Sequence, residues 1–180
     1  SESIEGKMLK LEGRREFYTP QTWRSKECSK NYYDYTLELG GYPNITGLNG
    51  EMYFTNQENQ EAINLIKSFD SPYVVGWCLR GSSYHKTYPL AELVVEQFLD
   101  QHPEAVMVLL GDEASQNREW DAPRVVKMSG KLTPRQSACL TKHLQCVVSP
   151  ESFIANAAGC FDTPKIIYLS HSGPNNLTKY

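Results

Sequence analysis

Tyr73-Val74-Val75-Gly76-Trp77-Cys78-Leu79, followed by Arg80-Gly81-Ser82-Ser83-Tyr84-His85-Lys86-Thr87-Tyr88-Pro89, is the stretch that decides the fold. The first part is a short, nearly continuous apolar run, which suits a strand covered on both faces. The second is a polar loop that ends at Pro89. There a helix opens, with Leu90, Leu93, Val94 and Phe98 along one face and His102-Pro103 ending it.

The same alternation continues toward the carboxyl end. Ala105 to Leu110 reads as a second strand, closed by Gly111-Asp112, and Val125, Val126 and Met128 suggest a shorter third. Thr133-Pro134-Arg135-Gln136 announces a helix chemically, with a Thr cap, Pro at the first position and Gln at the third. Cys146-Val147-Val148 is a fourth strand. Ser149-Pro150-Glu151 starts the next helix, whose Ile154, Ala157, Ala158 and Phe161 recur at helical spacing. Lys165-Ile166-Ile167-Tyr168-Leu169 is a fifth strand. The expected fold class is α/β, a doubly wound, Rossmann-like parallel sheet with strands near 73–79, 105–110, 124–128, 145–148 and 165–169. Its expected order is 3-2-1-4-5.

No strand-helix repeat precedes Pro72. Residues 1–70 read as a helical connector segment, with helices expected over Lys26–Leu39 and Asn56–Phe69, the second burying Ala62, Ile63, Ile66 and Phe69. The chain opens at Ser1 rather than Met and stops shortly after a strand. It reads as a piece of a longer protein.

Composition narrows the class of partner. The formal charge of −3 and scattered Lys and Arg give no electrostatic reason to expect nucleic acid. No apolar run approaches a membrane span, and no signal peptide opens the chain, so membrane contact would be peripheral. The five cysteines are odd in number, without a Cys-x-x-Cys pair, and suggest free thiols in a reducing, cytoplasmic compartment. Asn44-Ile45-Thr46 and Asn176-Leu177-Thr178 match the glycosylation sequon by chance. No His, Cys and Asp spacing forms a metal cage, and no cofactor is called for.

Ligands of an open parallel sheet lie outside the carboxyl ends of its strands. That rule selects Arg80 to Pro89, Gly111-Asp112-Glu113, Ser149 to Ser152 and Ser170-His171-Ser172-Gly173-Pro174. The first loop has small hydroxyl residues, a flexible Gly and the cations Arg80 and Lys86, which is what a phosphate needs. A merely solvated polar loop fits the same residues equally well. Ser149 to Ser152 offers a helix start to an anion or is simple capping. Asp112-Glu113 could grip a ribose diol or be a turn. His85 and His171 lie near these loops, whereas His102 and His143 end helices. P-loop, Gly-x-Gly-x-x-Gly and Gly-x-Ser-x-Gly patterns are absent.

Taken in order, these loops resemble a family. Gly81 to Pro89 is similar to the Gly-x-Ser-x-x-Lys-x-Trp-Pro segment of heptosyltransferase-like glycosyltransferases, two-domain enzymes of the GT-B fold. Ser149-Pro150-Glu151-Ser152-Phe153-Ile154-Ala155-Asn156-Ala157-Ala158 resembles that family's Gly-Pro-Asp-Thr-Gly-Pro-Met-His-Leu-Ala. Ser172-Gly173-Pro174 continues the register. Phe153 stands where the pattern has a Gly, and Asn156 where it has a His. The resemblance implies that residues 71–180 form the nucleotide-sugar-binding Rossmann-like half and that residues 1–70 hold a connector and a remnant of the acceptor-binding domain. It implies a nucleotide-diphosphate sugar donor, typically ADP-heptose, and a glycan or lipopolysaccharide acceptor. By position, Ser82, Ser83 and Lys86 would hold phosphate or sugar, Glu113 the ribose, and Met128 would lie near the base. Glu151 and Ser152, with Phe153 and Asn156 beside them, would meet the sugar and diphosphate. The family's catalytic carboxylate belongs to the amino-terminal domain, so no catalytic residue is assigned. The alternative is a non-catalytic nucleotide- or sugar-binding module of the same fold.

Overall fold

The computed structural model describes residues 47–170, together with positions 31, 34, 37, 38 and 40–45. The chain divides into two compact units, one of residues 1–49 with 171–180 and one of Gly50–Ser170. In the first, positions 34, 37 and 38 are helical, and Tyr42 donates its N–H to the Leu37 carbonyl at 2.9 Å. The rest of the helix expected over Lys26–Leu39 lies outside the described residues.

The second unit is a five-stranded sheet. Its strands are β1 (Tyr73–Cys78), β2 (Ala105–Leu110), β3 (Val125–Lys127), β4 (Cys146–Ser149) and β5 (Lys165–Ile167). All four pairings are parallel, and the order is β3-β2-β1-β4-β5, as the alternation of elements predicts. Four helices flank it: α1 (Asn56–Lys67), α2 (Ala91–Gln101), α3 (Pro134–Thr141) and α4 (Phe153–Gly159). The sheet is wound on both sides. On one face Val74, Cys78, Val106, Val108, Leu110 and Val147 pack against Leu140 of α3, Ile154 and Ala158 of α4, and Leu65 and Ile66 of α1. On the other, Val75, Trp77, Ala105, Met107 and Leu109 pack against Ala91, Val95 and Leu99 of α2. Burial on both faces is why β1 and β2 read as unbroken apolar runs.

The helix starts are chemically explicit. Thr133 and Gln136 form the expected capping box at α3. An unanticipated second box, Thr55 with Glu58, starts α1. Arg135 then joins the two helices, donating to the Glu58 carboxylate and to the Tyr53 carbonyl while its guanidinium lies 4.9 Å over the Phe54 ring.

Two expectations are corrected here. The helix after β1 does not face the sheet with Leu90 and Leu93, which are 54% and 51% exposed. Its sheet-facing residues are Ala91, Val95 and Leu99, so α2 carries two apolar stripes and periodicity alone does not say which is inward. The second stripe borders a trough of about 380 Å³ over β1, β4 and β5, walled by Trp77, Tyr88, Phe98, Val148, Ile166 and Tyr168. Second, Ser149 does not start a helix. It is the last residue of β4, its carbonyl accepts the Tyr168 N–H at 3.1 Å, and α4 begins only at Phe153 after Ser152.

Candidate functional site at the carboxyl ends of the strands

The loop after β1 is a closed hairpin rather than a loose tether. Arg80 and Thr87 form an antiparallel bridge, Gly81 donates its N–H to the Lys86 carbonyl at 3.0 Å, and Lys86 donates its own to Ser83 at 2.9 Å. Tyr84–Lys86 is one 3-10 turn. A Cβ on Gly81 would come within 2.6 Å of the Lys86 side chain, so glycine permits the lysine stem to lie back across the loop. That direction is productive. The Lys86 ammonium donates to the main-chain carbonyl of Glu151, 3.1 Å away, and so bridges the ends of β1 and β4. Arg80, the other cation, turns its Nε to the Gly81 carbonyl of its own loop.

The end of β4 is knitted to its neighbours by small polar groups. Ser149 and Ser152 hydroxyls lie 2.8 Å apart, and the Ser152 hydroxyl is 3.6 Å from the Cys78 thiol. Burial pushes the Cys78 thiol up, against the smaller opposing effect of the Ser152 hydrogen bond, so it stays a protonated packing group rather than a nucleophile. The Glu151 carboxylate accepts from the Ser170 N–H at 3.1 Å and from its hydroxyl at 2.8 Å. Tyr168 donates its phenol to the Cys78 carbonyl at 2.9 Å, and burial drives that phenol far above its ordinary pKa.

The residues selected from sequence fall into two groups. Ser83, Lys86, Glu151 and Ser152 are half-buried around the β1–β4 junction, with Ser82 exposed on the same loop. Phe153 and Asn156 are both exposed, one turn apart on the outer face of α4. The chain after Ser170, including His171, lies outside the described residues. The second group surrounds the ends of β2 and β3. Glu113 is exposed at the start of a 3-10 turn over Glu113–Arg118, while Asp112 accepts from the Ser115 hydroxyl at 2.6 Å. Gly130, at φ 69°, donates to the Gly111 carbonyl, and Gln116 donates to the Ser129 carbonyl, each at 3.0 Å. Met128 is half-buried and packs against the core beneath this junction. Ser170, selected from sequence with the loop after the fifth strand, and Tyr168, read only as part of that strand, complete the first group through contacts 19 and 90 positions away; no local pattern announces those partners.

Phe153 requires a further correction. A phenylalanine beside an available core ordinarily turns inward, here next to Ile154 and Phe161, yet Phe153 is 45% exposed while Ile154 is buried. The helix turns its small and branched residues, Ile154, Ala155, Ala157 and Ala158, to the sheet, and position 153 falls outside that arc.

Among solved structures, this chain is similar to a glycosyl transferase family 9 protein from Veillonella parvula. The TM-score is 0.70 at 11% identity, over 87% of this chain and 48% of that one. It is also similar to the ADP-heptose lipopolysaccharide heptosyltransferase II of E. coli, with a TM-score of 0.58 at 14% identity, over 70% of this chain and 41% of that one. The fold is heptosyltransferase-like. The chain spans about half the length of these structures. No family model matches it, and no curated protein matches it. Among the described residues no helix is long and apolar enough to cross a membrane, and no cluster of His, Cys, Asp and Glu could hold a metal ion.

Proposed function

We propose that residues 71–180 are the donor-binding half of an inverting glycosyltransferase that takes a nucleotide-diphosphate sugar across the ends of β1 and β4. The observation that carries this reading is the Lys86 ammonium held 3.1 Å from the Glu151 carbonyl, at the strand ends of a heptosyltransferase-like fold. A cation on a rigid hairpin over the junction of two parallel strands is suited to the charge that develops on a departing nucleoside diphosphate. In the transfer, an acceptor hydroxyl attacks the anomeric carbon and the sugar–phosphate bond breaks. The bond's electrons leave with the diphosphate, where Lys86 stabilises them. The acceptor's proton goes to a base that this chain's residues do not identify.

Ser82, Ser83 and Ser152 would supply hydroxyls to the diphosphate and sugar, and Phe153 and Asn156 would border the sugar. Glu113 and Met128 would border the nucleoside on the β2–β3 side. The similarity to the E. coli ADP-heptose lipopolysaccharide heptosyltransferase supports ADP-heptose as the donor and a lipopolysaccharide or other glycan as the acceptor; contact with a membrane surface would be peripheral. A second reading, a binding module that kept the fold without the chemistry, is favoured by Phe153 standing exposed where a bare backbone would admit a diphosphate.

Calorimetry with ADP tests the first reading. ADP should bind, and Lys86→Ala should weaken it by roughly 1.5–3 kcal/mol, the worth of one charge-assisted contact. Equal affinity in the variant removes Lys86 from the site. Sugar release or transfer from ADP-heptose separates enzyme from module.

A further inference from the structure

Glu151 touches three loops at once. Its carbonyl accepts from Lys86 on the loop after β1, and its carboxylate accepts twice from Ser170, where the chain leaves β5. It sits itself on the loop after β4. We propose that Glu151 is a positioning residue that fastens these three loops together. We further propose that an anion bound at the ends of β1 and β4 draws Lys86 away from it, so that occupancy of this junction loosens the chain at Ser170. The second part rests on the assignment of Lys86 to a phosphate.

The chemistry of the exchange follows from the two acceptors. In the structure the ammonium donates to a neutral carbonyl; a phosphate oxygen offers it a full negative charge, which adds ion-pair attraction to a bond whose donor is already ionised. The Lys86 main chain is fixed by its hydrogen bonds with Gly81 and Ser83 and its stem lies over Gly81, so the ammonium changes partner by side-chain torsions alone. When the ammonium leaves, the Glu151 peptide loses its tie to the β1 loop, and its carboxylate grips Ser170 from a freer backbone. The Ser170 N–H donates to this carboxylate rather than to a strand partner, so its exchange with solvent reports the latch directly.

The experiment is amide hydrogen exchange, followed residue by residue by NMR on the 180-residue chain. Without ligand, Lys86→Met should speed exchange at Ser170 by roughly two- to tenfold, the factor that one net hydrogen bond supports. Lys86→Arg, which keeps a donor, should exchange like the parent. Unchanged exchange in Lys86→Met overturns the latch, whether or not any nucleotide binds. ADP added to the parent chain should speed Ser170 exchange toward the Lys86→Met level while slowing the amides of residues 81–86. Calorimetric ADP binding with Ser170 unmoved overturns the exchange of partners and leaves the donor reading standing. No ADP binding at all overturns both the donor reading and the exchange of partners, and the unliganded comparison still decides the latch.

Discussion

Gly76 occupies the middle of the central strand, where a β-branched residue would ordinarily sit, and the structure gives its reason. A Cβ there would lie 2.6 Å from the Leu144 Cδ1 and 3.1 Å from the Leu110 Cδ1, with Val147 Cγ2 at 3.8 Å. Gly76→Ala therefore sets two effects against each other. Restricting the unfolded backbone favours the alanine by about 0.5–1 kcal/mol. Overpacking the core opposes it by about 1–3 kcal/mol, and Leu144 and Leu110 are both buried, so neither methyl has free space to enter. The net expectation is a loss of about 0.5–2 kcal/mol. With a urea slope of about 1–3 kcal/mol per molar, the midpoint should fall by about 0.2–2 M. Urea unfolding followed by tryptophan fluorescence measures this. The cause is isolated by a double-mutant cycle. Leu144→Ala alone should cost about 2–5 kcal/mol, and less in the Gly76→Ala background, with a coupling near 1 kcal/mol. A Gly76→Ala midpoint at or above that of the parent, or strict additivity with Leu144→Ala, would refute the packing argument.

Phe153→Ala should change stability by no more than about 0.5 kcal/mol, because the ring is outside the core; a loss above about 2 kcal/mol in chemical unfolding would mean it is buried. Arg124, at φ 62°, donates to the carbonyls of Leu99, His102 and Ala105 and so closes the end of α2. Arg124→Ala should cost about 1.5–3 kcal/mol in the same assay, and a neutral result would show those contacts to be replaceable by water. The Glu58 carboxyl is held at about 2, below its ordinary 4.5, first by the Arg135 hydrogen bond and then by the Thr55 N–H. A depressed carboxylate stabilises above its unfolded pKa and loses that stabilisation as pH falls through the folded one. Stability should therefore decline between pH 4.5 and 2, and Glu58→Gln should flatten that decline in pH-dependent melting. An unchanged slope in the variant would dissociate Glu58 from acid unfolding.

The strands and their order were legible because a parallel sheet buried on both faces leaves apolar runs in the sequence, and because Thr133-Pro134 marks where α3 begins; Pro89 stands two residues before α2, whose cap is Leu90. What depends on distant partners was not. The two stripes of α2 have the same period, and only the sheet decides that Ala91, Val95 and Leu99 face it. Ser149 looks like a cap until Tyr168 pairs with it and extends β4 by a residue. At the site, Lys86 was legible from its loop, but its acceptor on Glu151 and the turn of Glu151 toward Ser170 lie 65 and 19 positions away. Charge and hydroxyl content marked the loops; the bonds between loops left no local trace.

The central place of β1 has a consequence for synthesis. Its first partner, β2, follows within a short helix, but its other edge waits for β4. Val74 takes its N–H acceptor from Gln145, 71 positions on, and returns its carbonyl to the Gln145 N–H. At ribosomal speeds of about 5–20 residues per second, a gap of this length keeps one long edge of an apolar strand open for roughly 4–14 s. Once Leu110 is made, the β1–α2–β2 half is a nascent sheet with an unprotected margin for the rest of that interval, able to pair with any other extended chain nearby. A chaperone that shields extended apolar segments would therefore act on this molecule chiefly in the window between the emergence of Leu110 and that of Ser149.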